Sequence, residues 1–104
     1  RVWLSITAYG RGQPLRVGFG DDCAVAGGLV ASDTDGPVFA ADAAADPITG
    51  LLGAVAVLDR LSHGGRWLVD LALAHAAALA VSVNTLHAIM PPSRRSLPQP
   101  WART

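Results

Sequence analysis

Ala45-Asp46-Pro47-Ile48-Thr49-Gly50 opens onto a long apolar run, Leu51 to Leu61. Aspartate and proline ahead of such a run mark a helix start, with Asp46 as N-cap and Pro47 at the first helical position. The apolar residues Leu51, Leu52, Val55, Leu58 and Leu61 fall at i, i+3, i+4 and i+7 spacings, which predicts a helix over 50–62. Ala54, Ala56 and Val57 make the other side apolar too, so the helix is expected to be buried nearly all round. Asp59 and Arg60 occupy its last turn and Gly64-Gly65 stops it. A carboxylate at that helix start is favoured as an anion by the helix dipole. It therefore reads either as a structural cap or as a positioned nucleophile.

Outward from this helix, Arg66 to Leu71 alternates as a strand and Leu73 to Met90 is a second, alanine-rich helix ended by Pro91-Pro92. Upstream, Val2 to Ala8 is apolar and β-branched, a strand ended by Tyr9-Gly10. Gly10 to Gly20 is a loop rich in breakers. Asp21-Asp22 caps a short helix over 23–31, weakened by Gly27-Gly28. Ser32 to Gly36 is a polar turn and Pro37 to Ala40 a short extended piece. The alternation of strands and helices points to α/β. Residues 1–90 form the expected domain and 91–104 a Pro/Arg-rich tail or linker.

Composition bounds the rest. The chain has 104 residues, 51% hydrophobic and only 15% charged, which excludes a disordered chain. It is more apolar than a lone small domain needs, so some surfaces are expected to be covered by further chain or a second subunit. The net charge is zero and no basic patch suggests nucleic acid. Cys23 is the single cysteine, which excludes an internal disulfide and fits a reducing compartment. Leu68 to Val83 contains Asp70 and His75 and falls short of a membrane span. No signal peptide is evident, so the expectation is cytoplasmic.

Four segments, in order, resemble the class III CoA-transferases, the family that includes formyl-CoA transferase and α-methylacyl-CoA racemase. Leu4-Ser5-Ile6-Thr7-Ala8-Tyr9-Gly10 is similar to its strand ending in S-I-[ST]-G-[YFW]-G. Gly20-Asp21-Asp22 with Ala26-Gly27-Gly28-Leu29 resembles its G-[YH]-D … [SG]-G-L helix. Ala45-Asp46-Pro47-Ile48-Thr49-Gly50 resembles the G-D-x-x-[TG]-G segment that carries the catalytic aspartate. Arg60 through Asp70, with Gly64-Gly65-Arg66 inside, resembles R-x-x-[TS]-G-x-G-x-x-[VI]-D. Ala45 stands where the family commonly has glycine, and Gly20-Asp21-Asp22 lacks the histidine of the racemases.

The resemblance implies a partial class III fold: the end of the nucleotide-binding-like half plus the following helices, an internal fragment of a longer parent. It implies a homodimer, acyl-CoA and carboxylate substrates, and coenzyme A carried as a thioester, with no metal, nucleic acid or membrane. Asp46 would be the nucleophile, with Asp22 as a second acid near the thioester, Arg16 meeting a CoA phosphate, and backbone N–H groups near Gly50 stabilising developing charge. The alternatives for these residues are a solvated helix cap for Asp21 and Asp22 and a solvated loop arginine for Arg16. Asp42 is a fallback for Asp46, whereas Asp33 and Asp35 read as turn residues. His63, His75 and His87 read as structural, Cys23 as a small buried hydrophobe, and Trp3 and Trp67 as core. Transferase chemistry, a racemase, and a non-catalytic segment serving assembly are the three functions left open.

Overall fold

Strand β1, Val2–Thr7, pairs in parallel with β4, Trp67–Ala72, so that Leu4 lies beside Val69 and Ile6 beside Leu71. The computed structural model describes residues 1–89, with side-chain surroundings through residue 83. The predicted helix end at Met90 and Pro91-Pro92, the 91–104 tail, Trp101 and the side chain of His87 lie outside the described residues. Between the paired strands run α1 (Gly20–Ala26), β2 (Val30–Asp33), β3 (Gly36–Phe39) and α2 (Ala45–His63); α3 (Leu73–Ile89) follows β4 directly. The chain is thus a small mixed α/β unit with three helices and two small sheets among the described residues.

Three boundaries differ from the sequence reading. The short helix runs 20–26 rather than 23–31, because Gly27 caps it and Gly28 turns to a φ of +85°. The polar turn and extended piece at 32–40 are a two-stranded antiparallel hairpin, Val30 opposite Phe39. Its turn is closed by the Asp33 carboxylate, which accepts the Asp35 N–H at 2.8 Å. The long helix begins at Ala45, with Ala44 as N-cap, not at Gly50 with Asp46 as cap. A residue before proline resists helical conformation, which places Asp46 outside the helix on local grounds. Here Pro47 is the third helical residue, still in the first turn, where a missing N–H breaks no ladder bond.

The core is built from small side chains. Cys23, Ala24, Ala44, Ala45, Ala74 and Ala77 form the buried cluster, with Ala8, Tyr9, Leu29 and Leu73 packed against it. Small residues let the helices approach closely. A Cβ on Gly27 would fall 2.5 Å from the Ala74 carbonyl and 2.6 Å from the Ala77 methyl, so α1 and α3 touch backbone to backbone. Gly53 of α2 does the same for the sheet, meeting Leu4 and Leu71.

The larger apolar residues are mostly outside. Only Ala45, Thr49 and Gly53 of α2 are buried, and Leu51 is 72% exposed, so the expectation of burial all round fails. One stripe of α2 covers one face of the β1–β4 pair, and nothing among the described residues covers the outer stripe. Trp3 and Trp67 are not core residues either, at 69% and 40% exposure. Strand alternation puts Trp3 and its register partner Leu68 on the sheet face opposite α2, where both stand exposed. Trp67 sits under the Arg60 guanidinium, 4.6 Å from the ring centroid.

Candidate functional site

The carboxyl ends of β1 and β4, the first turn of α2 and the loop before α1 converge on one patch. In parallel α/β sheets ligands bind outside the carboxyl ends of the strands. Tyr9 follows β1, and Ala74, in the first turn of α3, donates its N–H to the Ala8 carbonyl at 3.1 Å. The opposite end of α2 lies by the start of β4, where the Gly64 carbonyl accepts the Trp67 indole N–H at 2.6 Å. The start of α2, and with it Asp46, therefore sits at the carboxyl end of the sheet.

Asp46 is exposed, in the first turn of α2, and its side chain makes no cap hydrogen bond. Its backbone N–H donates to the Ala43 carbonyl at 2.9 Å. The carboxylate leans against Gly20 of α1. A Cβ there would meet Oδ2 at 2.6 Å, Cγ at 2.7 Å and the Ala43 methyl at 2.8 Å. A side chain at Gly20 would require both the Asp46 carboxylate and the Ala43 methyl to shift.

The entry to α2 is held from a distance. Ala43 has a φ of +44°, the one positive value at a non-glycine among the described residues. A left-handed alanine costs about 1–2 kcal/mol. Its N–H donates to the Asp21 carboxylate at 2.7 Å, across 22 positions of sequence. Asp21 is therefore neither a solvated cap nor free. Asp22 does serve locally, accepting the Phe19 N–H at 2.8 Å at the start of α1.

Arg16 lies over the Tyr9 ring, 3.6 Å from its centroid, and donates to Gln13 at 3.2 Å. It is an exposed loop arginine stacked on a ring. Tyr9 in turn borders buried Cys23: a Cβ on Gly18 would meet both Cys23 Sγ and Tyr9 Cε2 at 2.8 Å. Burial pushes the Cys23 thiol above its ordinary value; a hydrogen bond from Tyr9 and the nearby Arg16 oppose this, while Asp22 and Asp46 add to it. Desolvation, Cys23 and Asp22 likewise raise the Tyr9 hydroxyl, against Arg16. These electrostatic couplings put Tyr9, Arg16, Asp22, Cys23 and Asp46 in one neighbourhood.

Gly50 is the sixth residue of α2, beyond the first turn whose N–H groups lack intrahelical partners. It stands four residues after Asp46, on the same face, and a Cβ there would meet nothing within 4 Å. It presents bare surface beside Asp46 rather than a free N–H. Asp42 is exposed in the turn before α2, and Asp33 holds its own turn. His63 Nδ1 donates to the Asp59 carbonyl at 2.7 Å in the last turn of α2, far along the helix from Asp46.

Two clefts lie away from this patch. One of about 480 Å³ is lined by Val25, Val30, Pro37, Val38 and Phe39, and one of about 260 Å³ by Arg1, Trp3, Arg66, Trp67 and Leu68. Asp46 lines neither. Among the described residues no His/Cys/Asp/Glu group could hold a metal ion, and no helix is long and apolar enough to cross a membrane.

Sequence reading missed Tyr9, Gly18, Phe19 and Ala43 as parts of the patch. Tyr9 and Gly18 were open to it, since an aromatic at a strand's carboxyl end and a Gly-x-Gly before a helix are both signals of a close-packed ligand loop. The left-handed Ala43 leaves no sequence signal. No known protein family, curated protein or solved structure matches the chain.

Proposed function

We propose that the chain carries the nucleophile segment of a class III CoA-transferase, in a partial form of that fold, and that Asp46 is the nucleophile. The supporting observation is the Asp46 carboxylate itself: exposed, at the start of a 19-residue helix, at the carboxyl end of a parallel strand pair, with bare helix surface at Gly50 beside it. The helix dipole favours an anion at that point.

In the proposed reaction an Asp46 oxygen attacks the acyl-CoA thioester carbonyl. The C–S bond breaks, leaving an aspartyl–acyl mixed anhydride and CoA thiolate. The thiolate attacks the aspartyl carbonyl, releases the acyl carboxylate and leaves an aspartyl-CoA thioester. An acceptor carboxylate then attacks that thioester, and returning thiolate takes the new acyl group and frees Asp46. Arg16, held flat on Tyr9, supplies a cation for a CoA phosphate. Leu15, Val17 and Phe19 are exposed in the loop leading to Gly20 and offer apolar surface to the acyl or pantetheine chain.

A second reading is that the chain serves assembly alone. It is favoured by the exposed Trp3–Leu68 sheet face and the exposed Leu51, Val55 and Leu58 stripe of α2, apolar surface that a partner would cover. In the transferase reading, more polypeptide or a second subunit covers those surfaces.

The test is peptide mass spectrometry after incubation with an acyl-CoA and hydroxylamine. Hydroxylamine intercepts the activated aspartyl carbonyl as a hydroxamate on Asp46. Asp46→Asn and Asp46→Ala should lose it and lower thioester exchange roughly 10⁴-fold or more. A folded wild-type chain that gives no adduct sinks the transferase reading and leaves assembly.

A further inference from the structure

We propose that Asp21 is a positioning residue: it holds the turn that aims the Asp46 carboxylate, and acts as a hydrogen-bond acceptor rather than as a second acid. The activity this serves rests on the reading of Asp46 as nucleophile; the geometry does not. Both backbone polar groups of Ala43 are engaged. Its N–H goes to the Asp21 carboxylate at 2.7 Å, and its C=O takes the Asp46 N–H at 2.9 Å. One residue thus links Asp21 to Asp46, and that residue is held at a φ of +44°, where alanine does not stay unaided.

The neighbouring residue supplies the second point of contact. Gly20 gives its side-chain space to the Asp46 carboxylate, at 2.6 Å from Oδ2 to the place of a Cβ. Consecutive residues of α1 thus grip the α2 entry on both sides: Asp21 by a hydrogen bond to the backbone, Gly20 by shape. A carboxylate accepting a backbone N–H makes a charge-assisted bond, stronger than a neutral one. Ala44 offers no side-chain cap, and the Asp46 N–H goes instead to the Ala43 carbonyl, so the turn that Asp21 holds is the one that satisfies the first turn of α2.

The experiment compares Asp21→Ala, Asp21→Asn and Asp21→Ala with Ala43→Gly, each in the full chain. Two readouts are made: amide exchange at Ala43 and Asp46 with the ¹³C shift of the Asp46 carboxyl, and hydroxamate yield on Asp46. Asp21→Ala should speed exchange at both amides by about tenfold or more and move the carboxyl resonance. Asp21→Asn keeps an acceptor oxygen and should stay within about threefold of wild type in both readouts. Adding Ala43→Gly removes the cost of the left-handed turn and should recover part of the loss. If Asp21→Ala does not fold, the double variant against Ala43→Gly alone takes its place.

Unchanged amides and carboxyl shift in folded Asp21→Ala would overturn the proposal. So would Asp21→Asn failing as badly as alanine in hydroxamate yield with its amides intact, because that pattern marks a needed acid. If the wild type yields no hydroxamate, the transferase reading falls alone, and the amide and carboxyl resonances still decide the clamp.

Discussion

Gly50→Ala should raise stability and lower acyl transfer at once, and the two effects have separate sources. Gly50 is exposed in the interior of α2, and a Cβ there meets nothing within 4 Å. The stabilising term is helix propensity, about 0.8–1.0 kcal/mol for glycine to alanine. No steric term opposes it. A domain of this size moves its thermal midpoint by roughly 4–8 °C per kcal/mol, so the midpoint should rise by about that amount. The functional term comes from position. Gly50 shares its helix face with Asp46, one turn away, and in the transferase reading the thioester lies along that face while Asp46 attacks it. A methyl there would narrow that path, and a shift of the reacting carbonyl by about 1 Å is the scale on which positioning fails. Misplacement on that scale costs up to about 10²-fold, so hydroxamate formation should fall roughly 10- to 100-fold. Circular dichroism melts and the hydroxylamine assay on one preparation give both numbers. A midpoint that does not rise refutes the exposed-helix placement. A midpoint that rises with the hydroxamate yield unchanged refutes the path of the substrate along this face.

Two further substitutions or conditions follow from the packing and the titrations. Gly27→Ala pushes a methyl into the Ala74 carbonyl and the Ala77 methyl of α3; backbone cannot give way, so urea denaturation should show a loss of about 1–3 kcal/mol, and a stability at or above wild type would mean α1 and α3 are not in contact. Above pH 9.0, the ordinary value for the Cys23 thiol, stability should decline, because the unfolded thiol ionises there while burial keeps the folded thiol protonated. Tyr9, raised from 10.0, carries the decline further in the same direction. Cys23→Ala should flatten the first part of that curve, and a curve of unchanged slope would deny the buried thiol its part.

Strands β1 and β4, helix α3 and the middle of α2 were legible because period and breakers agree there. Val2–Thr7 and Trp67–Ala72 carry strand formers between turn signals, and Gly64, at φ +67°, stops α2 where a glycine should. The hairpin at 30–39 was hidden. Its four-residue strands are exposed along nearly their whole length, so no apolar alternation marks them. The start of α2 was misplaced for a different reason. A local rule, that aspartate before proline caps, does not hold here: the helix begins at Ala45, after a turn whose Ala43 N–H is taken by Asp21. Burial was overrated because apolar content reports what could be covered, and these described residues cover only part of it.

The same contrast divides the candidate site. Asp46 stands out in the sequence because proline, glycine and an apolar run surround it within a few residues. The residues packed around it do not, because each is the far end of a long-range contact. Gly20 lies against the Asp46 carboxylate, and the left-handed Ala43 gives its N–H to Asp21. A glycine in the chain declares freedom, not who uses the space. An aspartate declares an acceptor, not which amide it takes. Local chemistry can therefore nominate a nucleophile from sequence, while the orientation that would make it reactive is a property of the packed α1–α2 contact.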